Sequence, residues 1–107
     1  MPKITLSNSH SDRMLTLWLE PRGEDYWMYP GEDFTVEFDD GDYAAGVIGA
    51  DGGQFLVQWE DDGLRVWAAS GLPKVRDRTG TELECGHRRP DEVDNAWREA
   101  GRFGATG

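Results

Sequence analysis

Cys85 and His87 stand two residues apart in the stretch ELECGHRRP, residues 82–90. Cys85 is the only cysteine in the chain, and His10 is the only other histidine. A thiolate with two imidazoles is a donor set for Zn²⁺ or copper. On a strand, positions two apart face the same side, so Cys85 and His87 could reach one ion, with His10 as a third ligand if its loop lies nearby. Gly86 between them works against that geometry. Structural zinc sites carry two close ligand pairs, and this chain offers at most one. A metal site on Cys85, His87 and His10 is therefore the alternative reading, and no cofactor is expected. The favoured role for Cys85 is that of a small hydrophobe continuing an inward face shared with Thr81 and Leu83. A reactive thiol, with its pKa lowered by His87, Arg88 and Arg89, is a further reading, but it lacks a base oriented by a third group.

The carboxylates cluster at Glu24–Asp25, Glu32–Asp33, Asp39–Asp40–Asp42 and Glu60–Asp61–Asp62. Glycoside hydrolysis needs two carboxylates facing one cleft. Here the acids fall in Asp/Gly-rich turns, where solvated side chains belong, and none matches the calcium loop D-x-D-x-D-G. No catalytic set emerges, so a non-enzymatic protein is expected.

The aromatics carry the stronger signal. Five Trp, at 18, 27, 59, 67 and 97, are many for 107 residues. Trp59 and Trp97 fit an inward pattern. Trp67 lies with Arg65 on the face opposite Leu64 and Val66. Trp27 sits among Tyr26, Met28 and Tyr29, between two similar acidic turns, GEDY (23–26) and GEDF (31–34). Trp and Tyr with a polar rim are what binding surfaces use. The expected docking face is therefore Tyr26, Trp27, Tyr29 and Trp67, rimmed by Glu24, Asp25, Glu32 and Asp33. A carbohydrate-binding module, with Trp27 or Trp67 stacked on a sugar ring, is another alternative.

These residues must be positioned by strands. Strand patterning marks KITLSN (3–8), MLTLWLE (14–20), DFTVEF (33–38), QFLVQWE (54–60), LRVWAA (64–69), KVRD (74–77) and TELEC (81–85), with DYWMY (25–29) as a short candidate and YAAGVIGA (43–50) as a weak one, since Gly46 and the alanines offer little to pack. MLTLWLE is apolar on both faces and belongs mid-sheet or under cover on both sides. The Asp/Gly loop at 61–63 predicts a hairpin between its flanking strands, and RTG predicts another between 74–77 and 81–85. The period then changes. PDEVDNAWREAGRF predicts a helix over about 91–102, with Asp91 as N-cap and a stripe of Val93, Trp97 and Ala100. Leaving Trp97 in water would forgo about 2–3 kcal/mol, so the helix should dock on the sheets. Residues 104–107 read as a flexible tail. Together these elements predict a mainly β single domain over 1–107: a small antiparallel β-sandwich or barrel of seven to eight short strands with one C-terminal α-helix.

Charge narrows the partners. The net charge is −10, and residues 1–70 hold all of the excess, with 14 acids against 4 bases; residues 71–107 hold 7 of each. Such a field repels nucleic acid and anionic membranes and steers a basic protein toward the chain. The basic residues Lys74, Arg76, Arg78, Arg88 and Arg89 are interleaved with acids and are suited to pairing with the acidic loops of this chain or of a second copy. A lone cysteine and the absence of an apolar leader or span point to the cytoplasm. The sequence therefore predicts an acidic protein-binding module of inhibitor or immunity type for a cationic partner. A homo-oligomer is compatible with it.

Overall fold

A computed structural model of the chain describes residues 2–20, 22–38, 54–61, 63–68 and 73–101. The expected strand over 43–50, the turns at 39–42 and 51–53, and the tail lie outside the described residues.

Among the described residues, alternating side chains produce eight strands: β1 (Lys3–Ser7), β2 (Leu15–Glu20), β3 (Glu24–Met28), β4 (Asp33–Glu37), β5 (Phe55–Trp59), β6 (Gly63–Ala68), β7 (Lys74–Asp77) and β8 (Glu82–Leu83). One helix follows, α1 (Asp91–Glu99). The strands form two four-stranded sheets, ordered β1-β4-β7-β8 and β3-β2-β6-β5. The expected mainly β, two-sheet architecture with a C-terminal helix is what the chain adopts.

The inward faces meet in one apolar cluster. Leu17, Leu19, Met28 and Val66 of one sheet pack with Phe34, Val36 and Val75 of the other, all fully buried. Each such side chain contributes roughly 1.5–3 kcal/mol of transfer free energy. Phe38 joins them from just beyond β4, with its ring 5.4 Å from Phe55. β2 lies between β3 and β6 and is covered on both faces along most of its length, as its two-sided apolar pattern implied.

One pairing departs from the antiparallel expectation. β2 and β6 run parallel, from Thr16↔Gly63 to Glu20↔Trp67. Parallel neighbours require a crossover connection of a dozen or more residues, and the chain between β2 and β6 is long enough to supply one. Local pairing follows the turns. β5 and β6 form the expected hairpin, closed by Glu60 N–H donating to the Gly63 carbonyl at 2.9 Å. β7 and β8 pair through Val75↔Leu83. The two acidic motifs are turns that lead into strands, with Gly23 and Gly31 at positive φ ahead of β3 and β4.

The helix begins one residue earlier than a cap at Asp91 implies. Pro90 holds the N-cap position in extended conformation, without a side-chain cap bond, and Asp91 is the first helical residue. Asp91, Glu92 and Asp94 still lie in the first turn and Arg98 in the last, which suits the helix dipole. Trp97 docks as expected, half-buried, with its ring 5.7 Å from that of Trp18 on the outer face of β2. Among the described residues, no helix is long and apolar enough to cross a membrane.

Candidate functional site

The segment after β8 is a clip, not a strand end. Gly86 at φ 87° and Arg88 at φ 59° turn the chain away from the first sheet. It then lies along β3 of the second. Gly86 N–H donates to the Asp25 carbonyl at 2.7 Å, and Trp27 N–H donates to the His87 carbonyl at 2.9 Å. Cys85 is therefore exposed in a turn and does not continue the inward face of Leu83. Thr81 is exposed as well. Period-2 logic fails here because the strand ends at Leu83.

The clip brings Arg89 onto Asp25. The two form a bidentate pair, with Arg89 Nε to Oδ2 at 2.9 Å and Nη2 to Oδ1 at 2.6 Å. Trp27 Nε1 donates to Oδ2 at 2.8 Å, and Cys85 Sγ lies 3.6 Å from Oδ1. Arg89 also reaches Asp94 of α1 at 2.8 Å and lies 4.8 Å from the centre of the Trp97 ring. Arg65 sits 5.8 Å from the ring centre of Trp18. Two guanidiniums thus flank two neighbouring, mutually tilted indoles on the outer face of the β3-β2-β6-β5 sheet.

Burial alone would raise the Asp25 pKa. The hydrogen bonds from Arg89 and Trp27, with the Arg89 charge, outweigh it and hold the carboxyl below its usual range. A folded pKa below the unfolded one means that Asp25 stabilises the fold fully above the ordinary carboxylate value of about 3.9, and that this contribution disappears as pH falls through the folded value. Thermal unfolding followed from neutral pH into acid should show a steeper loss in the wild type than in Asp25→Asn. Parallel curves would remove Asp25 from the acid response.

The same geometry works against the thiolate reading. Although Cys85 is at the surface, partial desolvation of its thiol beside Asp25 raises its pKa, and the Asp25 and Glu24 charges add to the rise. The His87 pKa is lowered by burial and by Arg88. Its ring packs edge-on to Phe34 at 5.7 Å. His10 lies in the loop between β1 and β2, and its N–H donates to Asn8 Oδ1 at 3.0 Å. Among the described residues, no group of three or more His, Cys, Asp or Glu side chains is placed to hold a metal ion.

The expected docking face is largely taken up by the chain itself. Asp25 and Tyr26 are buried, so neither can meet a partner. Glu24 pairs with Arg22 at 3.0 Å and accepts from the Tyr26 hydroxyl at 3.1 Å. Arg88 pairs with Glu32 and lies 4.1 Å from the centre of the Tyr29 ring. Arg78 holds Asp33 at 2.9 Å, and Arg76 pairs with Glu37. Basic residues of the last third thus pair with Asp25, Glu32, Asp33 and Glu37, as their interleaving suggested, while Glu24 is held by Arg22. Trp27 is half-buried, with its N–H on Asp25, and Trp67 is half-buried, with its N–H on Gln58 at 2.8 Å.

Among the described residues the most open aromatic is Trp59; Tyr29 of the expected docking face is also exposed, at 50%. Its register partner is Leu64, which is buried, and the neighbouring inward positions Phe55 and Val57 are half-buried. Trp59 itself is 82% exposed. It is the last residue of β5, at the corner where the hairpin turns, and the inward pattern does not survive there. Beside it opens a cleft of about 240 Å³, with Met14, Leu15 and Gly63 as further lining. One wall is the hairpin, with Glu60 and Asp61; the other is the β1–β2 loop, with His10 and Arg13. Buried Asn8 fixes that second wall, since its Nδ2 donates to the Arg13 and Met28 carbonyls, each at 3.0 Å. Glu60 bonds Arg65 at 2.8 Å, whereas the Asp61 carboxylate has no partner among the described residues.

No family model, curated protein or solved structure matches the chain. The geometry alone therefore bears on function. Alternation in the sequence assigns the Trp59 ring to the core, which hides the cleft beside it. The available signal is EDD directly after it: a strand whose last aromatic abuts three acids ends in water.

Proposed function

We propose that this chain is a non-enzymatic binding module for a protein with a basic surface, and that it docks through the corner of the sandwich at Trp59. The observation that carries this is the exposure of Trp59: an indole at a core-side register position is left 82% in water. Burying such a side chain is worth roughly 1.5–3 kcal/mol, and buried Trp anchors dominate protein interfaces. Glu60 and Asp61 follow it with negative charge, and the net charge of −10 opposes self-association while drawing in a basic partner. An inhibitor or immunity-type role is the concrete form. The lone thiol supports a cytoplasmic setting.

The test is capture by immobilised protein from the native host, followed by kinetics with the retained protein. Trp59→Ala should change folding stability by no more than about 0.5 kcal/mol, as surface substitutions do, yet weaken binding at least about tenfold. Asp61→Lys should slow association, and Glu99→Lys, on exposed helix surface, should act much more weakly. Equal retention by the wild type and Trp59→Ala would refute the reading.

A further inference from the structure

The cleft beside Trp59 has a shape and polarity that specify what enters it. At about 240 Å³ it lies below the roughly 300–1,000 Å³ typical of sites for whole small molecules, and it suits one long side chain. Trp59, Met14 and Leu15 supply the apolar lining, over which an alkyl stem can lie. The Asp61 carboxylate stands at the hairpin wall without a partner among the described residues, next to a Glu60 that already holds Arg65. Arg13 stands on the facing wall. Its charge repels a cation from that side and confines it to the Asp61 side.

Resting on the docking reading above, we propose that this cleft is the subsite for a single lysine side chain of the basic partner. The stem lies against the Trp59 indole, and the ammonium reaches Asp61. Lysine fits better than arginine because its longer apolar stem matches the lining before a compact ammonium, whereas a guanidinium carries five donors, of which one carboxylate accepts two, and the rest would face apolar lining and Arg13. A second copy of this chain is the less suited occupant, since two molecules of net charge −10 repel each other.

The experiment titrates isotope-labelled full chain with a terminally blocked peptide of alternating glycine and lysine. Controls are the lysine-acetylated peptide and an arginine version, and binding is read from amide and indole NMR shifts. The lysine peptide should shift the Trp59 indole and residues 13–15 and 60–61. The acetylated peptide should not, and the arginine version should bind more weakly. Asp61→Asn should weaken the lysine peptide about tenfold, as loss of a charge partner does, and Arg13→Gln should leave it equal or tighter. If the shifts fall on the Trp59 corner but acetylation and Asp61→Asn have no effect, the lysine subsite is wrong and the docking face stands. The subsite is equally wrong if arginine binds as well as lysine, or if Arg13→Gln weakens binding. If the shifts fall elsewhere on the acidic surface, or nowhere, the subsite fails. The docking face itself fails only if Trp59→Ala leaves capture of the partner unchanged.

Discussion

Asp25→Ala is expected to destabilise the protein by about 3–5 kcal/mol, because it takes from the Arg89 guanidinium its bidentate partner, leaving the bond to Asp94, in a site where both members of the pair are withdrawn from water. Their side chains are only 3% and 12% exposed. Arg89→Met should cost a similar amount by leaving the carboxylate unpaired. The double variant Asp25→Leu with Arg89→Met should be far less damaging than the two losses added, since replacing a whole buried pair by apolar groups is often close to neutral. Urea unfolding of the four proteins at neutral pH measures the coupling. Additive losses would show that the pair is not a unit. The helix should report the same event. α1 has nine residues and none is buried, so it is too short to persist alone. It is anchored through Trp97 on Trp18 and through Arg89 on Asp94. Loss of the Asp25 anchor should therefore fray α1 before the sheets unfold, visible as faster amide exchange over 91–99.

Gly63→Ala is the second large effect. Gly63 opens β6 opposite Thr16 in the parallel seam, and a Cβ there would overlap the Thr16 carbonyl oxygen and crowd its carbonyl carbon. The obstacle is backbone, which cannot swing aside like a side chain, so the seam must open. Losses of about 3 kcal/mol or more are expected, at the upper end for overpacking. Gly80→Ala separates this cause from backbone conformation. Gly80 has φ 90° and open space around it, so its loss should be the strain of a left-handed residue alone, about 1–2 kcal/mol. If Gly63→Ala unfolds no more easily than Gly80→Ala, the close approach of β6 to β2 is not what demands glycine.

Much of the fold was legible because it is local. Leu15, Leu17 and Leu19, Phe34, Val36 and Phe38, and Leu64 and Val66 alternate in the sequence and are buried in the structure. The hairpins at 60–63 and 78–81 follow from their Asp/Gly turns. The parallel β2–β6 seam was not legible, because alternation says which face a residue takes and not which strand lies beside it. Asp25 reads as a solvated acid in any local pattern. Its burial is set by Arg89, 64 residues away, and no spacing rule connects them. The burial of Tyr26 and the pairing of Asp33 and Glu32 with Arg78 and Arg88 are long-range in the same way, set from across the fold. Trp59 failed in the opposite way, through a local rule followed one residue past the point where the sheet stops covering it.

The clip along β3 has a consequence for behaviour at high concentration. An outermost strand ordinarily presents unpaired amide and carbonyl groups that template addition of another chain. Here the Trp27 amide and the Asp25 carbonyl are already occupied by His87 and Gly86, and Arg88 holds a left-handed turn that ends the pairing after one bridge. Another chain adding at Asp25–Trp27 must first displace this clip, although β3 carries neither a proline nor a lysine to block it.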